Sequence, residues 1–268
     1  MTFTQYIVLA VVQAVAEVFP IGALGHTALL ENVLDWQAAG PSIPPSVRLG
    51  LALAILAYFW RDVADMVTGV IRAAKGKRDP GARLALQIAV ATVPTLGLGF
   101  ALQDFIGPWH VPIILGWTIA GGALLLFAID RMSMTVKRVE HASYTDAILI
   151  SLCQALALIP GVGSAAAMLI MARLLGYQRK ASAQFAFLLM APVLAVVAAR
   201  DALAAFEADG IPPSTTDILG VGICFVSGLV ALAFLMAWLK RSTFMPFVIY
   251  RLILGGAVLA VGYEWIAA

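Results

Sequence analysis

Charge is scarce in this sequence. Only 12% of its 268 residues are Asp, Glu, Lys or Arg, where a soluble domain carries about 25%. That shortfall, with 62% hydrophobic residues and a mean hydropathy of +0.96, excludes an ordinary soluble domain and indicates an integral membrane protein. The net charge of +2 is too small a surplus to draw nucleic acid. Cysteine is rare too. Cys153 and Cys224 both lie in apolar runs, so buried free thiols are expected rather than a disulfide. No Cys or His spacing suits a metal. Aromatic residues are not enriched, and no run alternates strictly between apolar and polar, which argues against a membrane barrel. The expected class is all-α. The first apolar run follows no basic segment and already contains Gln13 and Glu17, so it does not read as a cleavable signal peptide.

Two interruptions stand out against this apolar background. The first is Gln13-Ala-Val-Ala-Glu17-Val-Phe-Pro20-Ile-Gly22-Ala23-Leu-Gly25-His26, and the second is Gln154-Ala-Leu-Ala-Leu-Ile-Pro160-Gly161-Val-Gly163-Ser164. Each is an apolar segment carrying Gln, broken by Pro and then glycines, after which the apolar run resumes. Pro and Gly this close together mean a broken helix. Two breaks at corresponding places in two halves point to a binding site between them.

The flanking segments set the expected topology. Residues 3–19 and 23–35 are each short for a span, which needs about 20 residues, so a re-entrant hairpin fits better. The loop 37–45 has no charge. Residues 46–60 run to Trp60-Arg61 and continue as helix to about Ala74. The next loop holds Arg72, Lys75, Lys77, Arg78 and Arg83 against Asp79, which marks it as cytoplasmic. Residues 84–102 run outward and 113–129 return to Arg131, Lys137 and Arg138. A second hairpin, 145–159 with 164–176, ends in Arg173, Arg179 and Lys180. Residues 182–199 run outward to Arg200, Asp201, Glu207 and Asp209, 217–239 return to Lys240-Arg241, and 245–266 run out again. The two breaks then enter from opposite sides. The expected architecture is an inverted-topology repeat, about 1–130 and 131–268, forming one membrane domain. It has about six transmembrane helices and two re-entrant hairpins meeting at mid-membrane.

The breaks carry the candidate chemistry. A helix that restarts after a break exposes unpaired N–H groups with partial positive charge. Gly22, Gly25, Gly161 and Gly163 let a ligand approach that backbone, which suits a phosphate, pyrophosphate or carboxylate. Tight helix packing is the competing use of such glycines. Glu17 is the sharpest single residue, because a carboxylate inside a membrane segment is costly and functional by default. Gln13 lies one turn earlier on the same face. His26, past the break, forms a candidate acid–base pair with Glu17; a structural tie to a carbonyl is its plainer role. Gln154 is either a ligand contact or an interhelical hydrogen bond. Arg251, just inside the last span, reads as a snorkelling side chain at the cytoplasmic headgroups.

With these residues in view, the chain resembles the undecaprenyl-pyrophosphate phosphatase family of the bacitracin-resistance type, nearly end to end. Gln13, Glu17, Phe19 and Pro20 followed by Gly25-His26 are similar to its first signature, and Gln154 to Gly161 to the start of its second. Phe59-Trp60-Arg61, Gly121-Gly122, Phe185 to Pro192 and Phe244 to Arg251 are similar to further family stretches. The resemblance implies removal of one phosphate from undecaprenyl pyrophosphate at the outer face of a bacterial inner membrane, with a divalent cation (Mg or Ca). It implies Glu17 as the second acidic position and a metal-binding residue, His26 as the signature His, and Gln13 as the first position.

The departures matter as much. The family's Ser-Ser pair before Gly-His is Gly22-Ala23 here. Its Pro-Gly-x-Ser-Arg-Ser-Gly is Pro160-Gly161-Val162-Gly163-Ser164-Ala165-Ala166, so Ser164 replaces the arginine that clamps the pyrophosphate. Such a donor is worth about 10²- to 10³-fold in rate. Arg48 and Arg251 are the only loose substitutes. On this basis the first expectation is a non-hydrolytic member that binds a polyprenyl (pyro)phosphate lipid and moves it. The alternative is an active diphosphatase built on Glu17 and His26, with Ser164 contacting phosphate. A small-solute transporter that kept only the fold is the third. A homodimer is open, with Gly220 to Gly228 as a small-residue packing stretch.

Overall fold

A computed structural model describes residues 2–33, 36, 45–106, 111–209 and 214–263. Among these residues the chain is all helix apart from connecting turns, with one isolated backbone bridge between Lys137 and Tyr177. The helices are α1 (Phe3–Val18), α2 (Ala23–Val33), α3 (Pro45–Tyr58), α4 (Trp60–Ala74), α5 (Pro80–Ile106) and α6 (Pro112–Met132). They continue with α7 (Tyr144–Ala155), α8 (Ser164–Leu174), α9 (Arg179–Asp209), α10 (Thr215–Trp238) and α11 (Met245–Gly262). The chain is a multi-pass membrane protein: five of these helices, α5, α6, α9, α10 and α11, are long and apolar enough to cross a bilayer. Large apolar side chains such as Val93, Val230 and Ile253 point outward from them, as a lipid-facing surface requires.

The breaks fall where Pro and Gly put them. Thr2 caps α1 in a capping box with Gln5, and the helix ends at Phe19, one residue before Pro20. Sixteen residues of α1 span about 24 Å and the eleven of α2 about 16 Å, both short of the roughly 30 Å hydrocarbon thickness. Ser143 caps α7, a single 3-10 turn at Leu156–Leu158 follows it, and α8 restarts after Gly163. The entry and exit of the α7–α8 pair lie together. Tyr177 Oη, past the end of α8, donates to Asp146 Oδ2 in the first turn of α7 at 2.8 Å, and Lys137 Nζ reaches the same oxygen at 3.1 Å. The α1 entry lies elsewhere: Tyr6 Oη is 3.2 Å from Ser46 Oγ at the start of α3 and packs on Gly220 at the start of α10.

The expected helix from 46 through 74 is instead two. It breaks at Phe59, and α4 is amphipathic with Gly69 its one buried residue. The physical reason lies in side-chain character: α3 buries Leu51, Ile55 and their neighbours against α9 and α10, whereas α4 carries Arg61, Asp62, Asp65 and Arg72 and packs on α5. The sixth expected span is therefore the 14-residue α3. Of the helix expected to residue 35, α2 is described as far as Val33; residues 34–35, 37–44, 107–110 and 210–213 lie outside the described residues.

At the centre stands α9, with 72% of its apolar stretch buried against 28–33% for the other long helices. Phe185 through Ala191 are buried without interruption, as in a helix apolar all round. Around it α3 pairs with α10, and α6 with α11. Gly228 seats Leu51 of α3, with an added Cβ meeting its side chain at 2.7 Å. Gly220 and Gly228 thus pack helices within one chain, while Gly222 of the same stretch faces open space. Cys153 and Cys224 are buried and free, as expected.

The two breaks touch. Gly22, Gly161 and Gly163 all have positive φ, at 87°, 88° and 75°, which L side chains rarely adopt. A Cβ on Gly161 would also lie 2.7 Å from the Leu115 carbonyl, whereas one on Gly163 meets nothing closer than Gly22 at 3.8 Å. Gly163→Ala is expected to cost the backbone strain alone, about 1–3 kcal/mol, and Gly161→Ala clearly more. Thermal melting of the two variants in detergent checks the order.

Candidate functional site

The last turn of α1, the start of α3, the end of α5, the second break and the C-terminal half of α9 line a cavity of about 590 Å³. Its polar walls include Glu17, Arg48, Gln154, Ser164, Arg200 and Asp201; Leu96, Phe100 and Leu158 are among the apolar ones. The cavity thus joins residues from both breaks. Glu17 is buried on α1, one turn after the buried Gln13. Gln13 itself is not among the walls. Thr95 fixes the α7 wall by donating to Ser151 Oγ at 2.8 Å.

Gln154 is 8% exposed, and its Oε1 is the one buried side-chain acceptor without a partner among the described residues. An unmet buried acceptor costs about 1–3 kcal/mol, so an amide kept this way at a cavity wall is poised for a donor or cation from a ligand. Ser164 is the first residue of α8, and Gly163 at the N-cap offers no side-chain cap. The first N–H groups of α8 are therefore left for water or a ligand.

The remaining expected residues sit differently. Gly25 packs on α6 and α11: a Cβ there would lie 2.6 Å from Ile119 Cδ1 and 3.1 Å from Leu254. Gly161 presses on α6, and Ala23 is buried. His26 is not a cavity wall. Its Nδ1 lies 2.9 Å from the Gly22 carbonyl and its Nε2 2.7 Å from Tyr250 Oη, with the two rings stacked at 12°. A carbonyl only accepts, so Nδ1 carries the proton; in the neutral ring Nε2 accepts from Tyr250. The structural tie to a carbonyl is thus present, and His26 holds the first break against α11.

Arg251 overturns its expectation. It is not a snorkelling side chain but fully buried. It donates to the carbonyls of Ile119 at 3.2 Å, Gly161 at 2.9 Å, Val162 at 3.3 Å and Pro20 at 3.5 Å. One guanidinium therefore ties α6 and both breaks together, satisfying carbonyls that the broken helices release. Arg251 is committed to the backbone, which leaves Arg48 as the cavity's cation from the earlier pair of candidates. Arg48 Nη1 donates to Asp201 Oδ2. Arg200, beside it, lies 3.8 Å from Asp201 and donates to Gln103 at 3.1 Å.

Comparison with known proteins then decides the family. The model of the bacitracin resistance protein BacA matches residues 6–257. The chain belongs to the BacA family. Among BacA relatives, "Undecaprenyl-diphosphatase 1" of Rhodospirillum rubrum is 41% identical, covering 98% of this chain and 96% of its own. The protein of the same name from Paramagnetospirillum magneticum is 34% identical over 98% of each. "Undecaprenyl-diphosphatase" of Roseobacter denitrificans is 36% identical over 98% of this chain and all of its own. BacA membership and the apolar helices agree with a bacterial inner-membrane location. The relatives bear the name of a diphosphatase, which favours the alternative expectation over the first and gives no support to lipid binding without hydrolysis or to lipid movement.

Proposed function

We propose that this chain is an undecaprenyl-diphosphatase, releasing phosphate from a polyprenyl pyrophosphate for reuse of the lipid carrier in cell-wall synthesis. The observation that carries this reading is the end-to-end likeness to relatives bearing that name. The cavity supports it: polar groups from both breaks gather at one place, and the apolar walls suit the first isoprene units of a lipid. An inverted repeat of about 1–130 and 131–268 is part of the proposal, since the α1 and α7 entries contact different sets of helix ends.

In this reading the terminal phosphate lies between Glu17, Ser164 and the first turn of α8. Water adds to the terminal phosphorus, the bond from that phosphorus to the bridging oxygen breaks, and the bridging electrons leave with the lipid monophosphate. Glu17 takes the proton from the attacking water. Ser164 donates its hydroxyl hydrogen to a phosphate oxygen. His26 keeps the break in position. The family's divalent cation fits the donors present in one form only. Among the described residues no three His, Cys, Asp or Glu gather to cage a metal, but Glu17 and Gln154 Oε1 are two oxygen donors that could share a cation with phosphate oxygens. Bound there, the cation would neutralise charge on the pyrophosphate.

The test is phosphate release from undecaprenyl pyrophosphate by the purified chain in detergent, with divalent cation and with chelator. Release that falls on chelation is expected. No release under either condition, with the lipid still bound, would return the non-hydrolytic reading.

A further inference from the structure

We propose that Arg48 binds the substrate pyrophosphate, supplying from α3 the positive charge that the second break lacks; this rests on the diphosphatase reading above. A pyrophosphate brings two or more negative charges into a space walled partly by Leu96, Phe100 and Leu158. At low local dielectric such charge needs a fixed cation nearby. The second break offers none, because Ser164 stands at the start of α8. Arg251 is held by backbone carbonyls of α6 and both breaks. Among the described walls of the cavity the cations are Arg48 and Arg200.

Two independent features favour Arg48. The first is its site. It lies on the first turn of the apolar helix α3 with its side chain 15% exposed, and it shares the cavity with Glu17 and with the unpartnered Gln154 Oε1. The second is its position along the chain. Arg48 and Arg200 lie at the end of the bundle away from Arg72, Lys77, Arg78 and Lys137, where the positive-inside rule leaves arginine without a topological role. A guanidinium retained there, partly buried and oriented by Asp201, has the planar donor geometry that phosphate oxygens match. Arg200 is 45% exposed and engaged with Gln103 and the Phe100 ring, which suits a role at the rim.

The experiment follows phosphate release from undecaprenyl pyrophosphate by the full chain in detergent. Arg48→Ala is expected to lower kcat/KM by about 10²- to 10³-fold. Adding Ser164→Arg to that variant moves a cation to the other wall and is expected to restore at least about tenfold of it, following the same estimate. A purely structural Arg48–Asp201 pair would behave otherwise. Activity and melting temperature would then return together in the charge-swapped Arg48→Asp/Asp201→Arg variant and not with Ser164→Arg, and that pattern overturns the proposal. Activity of Arg48→Ala within about threefold of the parent overturns it as well, being well below the loss of one such donor. Should the parent release no phosphate, the diphosphatase reading falls, and protection of the melting temperature by inorganic pyrophosphate reads Arg48 separately. Protection that disappears in Arg48→Ala upholds the anion site; protection that persists, or is absent from the parent, overturns it.

Discussion

Glu17→Gln is expected to lower phosphate release from undecaprenyl pyrophosphate by about 10²- to 10⁴-fold, the range for removal of a positioned general base. The change keeps the shape of the side chain and deletes only its ability to take a proton and to carry charge. Glu17 is 7% exposed in the last turn of α1, and a carboxylate in such a setting costs stability when ionised. The melting temperature of Glu17→Gln should therefore equal or exceed that of the parent. This combination, activity lost and stability kept, separates a chemical role from a packing role. Release within about tenfold of the parent would remove Glu17 from the proposed chemistry, since even the lower end of the range would not be met. Substrate concentration should be varied, because a base that acts on water changes kcat more than KM.

The second large effect is on the fold. Arg251→Met is expected to abolish a stable, folded chain in detergent or to lower its melting temperature severely. The side chain fills its place without exposure and donates to carbonyls of Ile119, Gly161 and Val162 within 3.3 Å, with Pro20 at 3.5 Å. The carbonyls of Pro20, Gly161 and Val162 lie outside the helices, and each left unmet costs about 1–3 kcal/mol, together a large share of the stability of a typical domain, about 5–15 kcal/mol. Arg251→Lys keeps a charge and three donors on a different geometry and should fall between. Tryptophan fluorescence on heating, with size-exclusion profile as a second readout, distinguishes these. A Met variant that melts like the parent would mean that the breaks hold each other without the guanidinium.

The same residue shows where reading a sequence stops. Tyr250-Arg251 near the start of an apolar run gives two equal options, a side chain that reaches back to headgroups or one that turns inward. What selects the inward option is a set of free carbonyls at Pro20, Gly161 and Val162, which come together only after two hairpins and α6 have packed. Arg48 and Asp201 are 153 residues apart, and neither carries a local pattern that names the other. A weak signal for them did exist: Arg200 contradicts the charge bias of its side of the membrane. His26 was visible as a chemical residue beside a break, yet its Tyr250 partner is 224 residues away, so its orienting role was not. Gly25 and Gly161 could equally serve ligand approach or helix packing from sequence alone, and only the packed chain sets Ile119 and Leu254 against Gly25 and Thr118, Leu115 and Ile119 against Gly161.

The amino-acid sequence by itself determined the membrane class, the helical content, the two breaks at Pro20 and Pro160, and the family, though not the break at Phe59. These follow from local quantities: the free energy of moving an apolar run out of water, the donor that proline lacks, and the positive φ that only glycine adopts easily. Glu17 was legible for the same reason, since the cost of a carboxylate in an apolar run depends on its immediate neighbours. The tertiary structure alone decided which groups share a cavity. It placed Glu17, Gln154 and Ser164 around one space, brought Arg48 to it on Asp201, and turned Arg251 into a structural tie. Hydrogen bonds and ion pairs act over about 3 Å between side chains more than a hundred residues apart, and only the packed chain sets those distances.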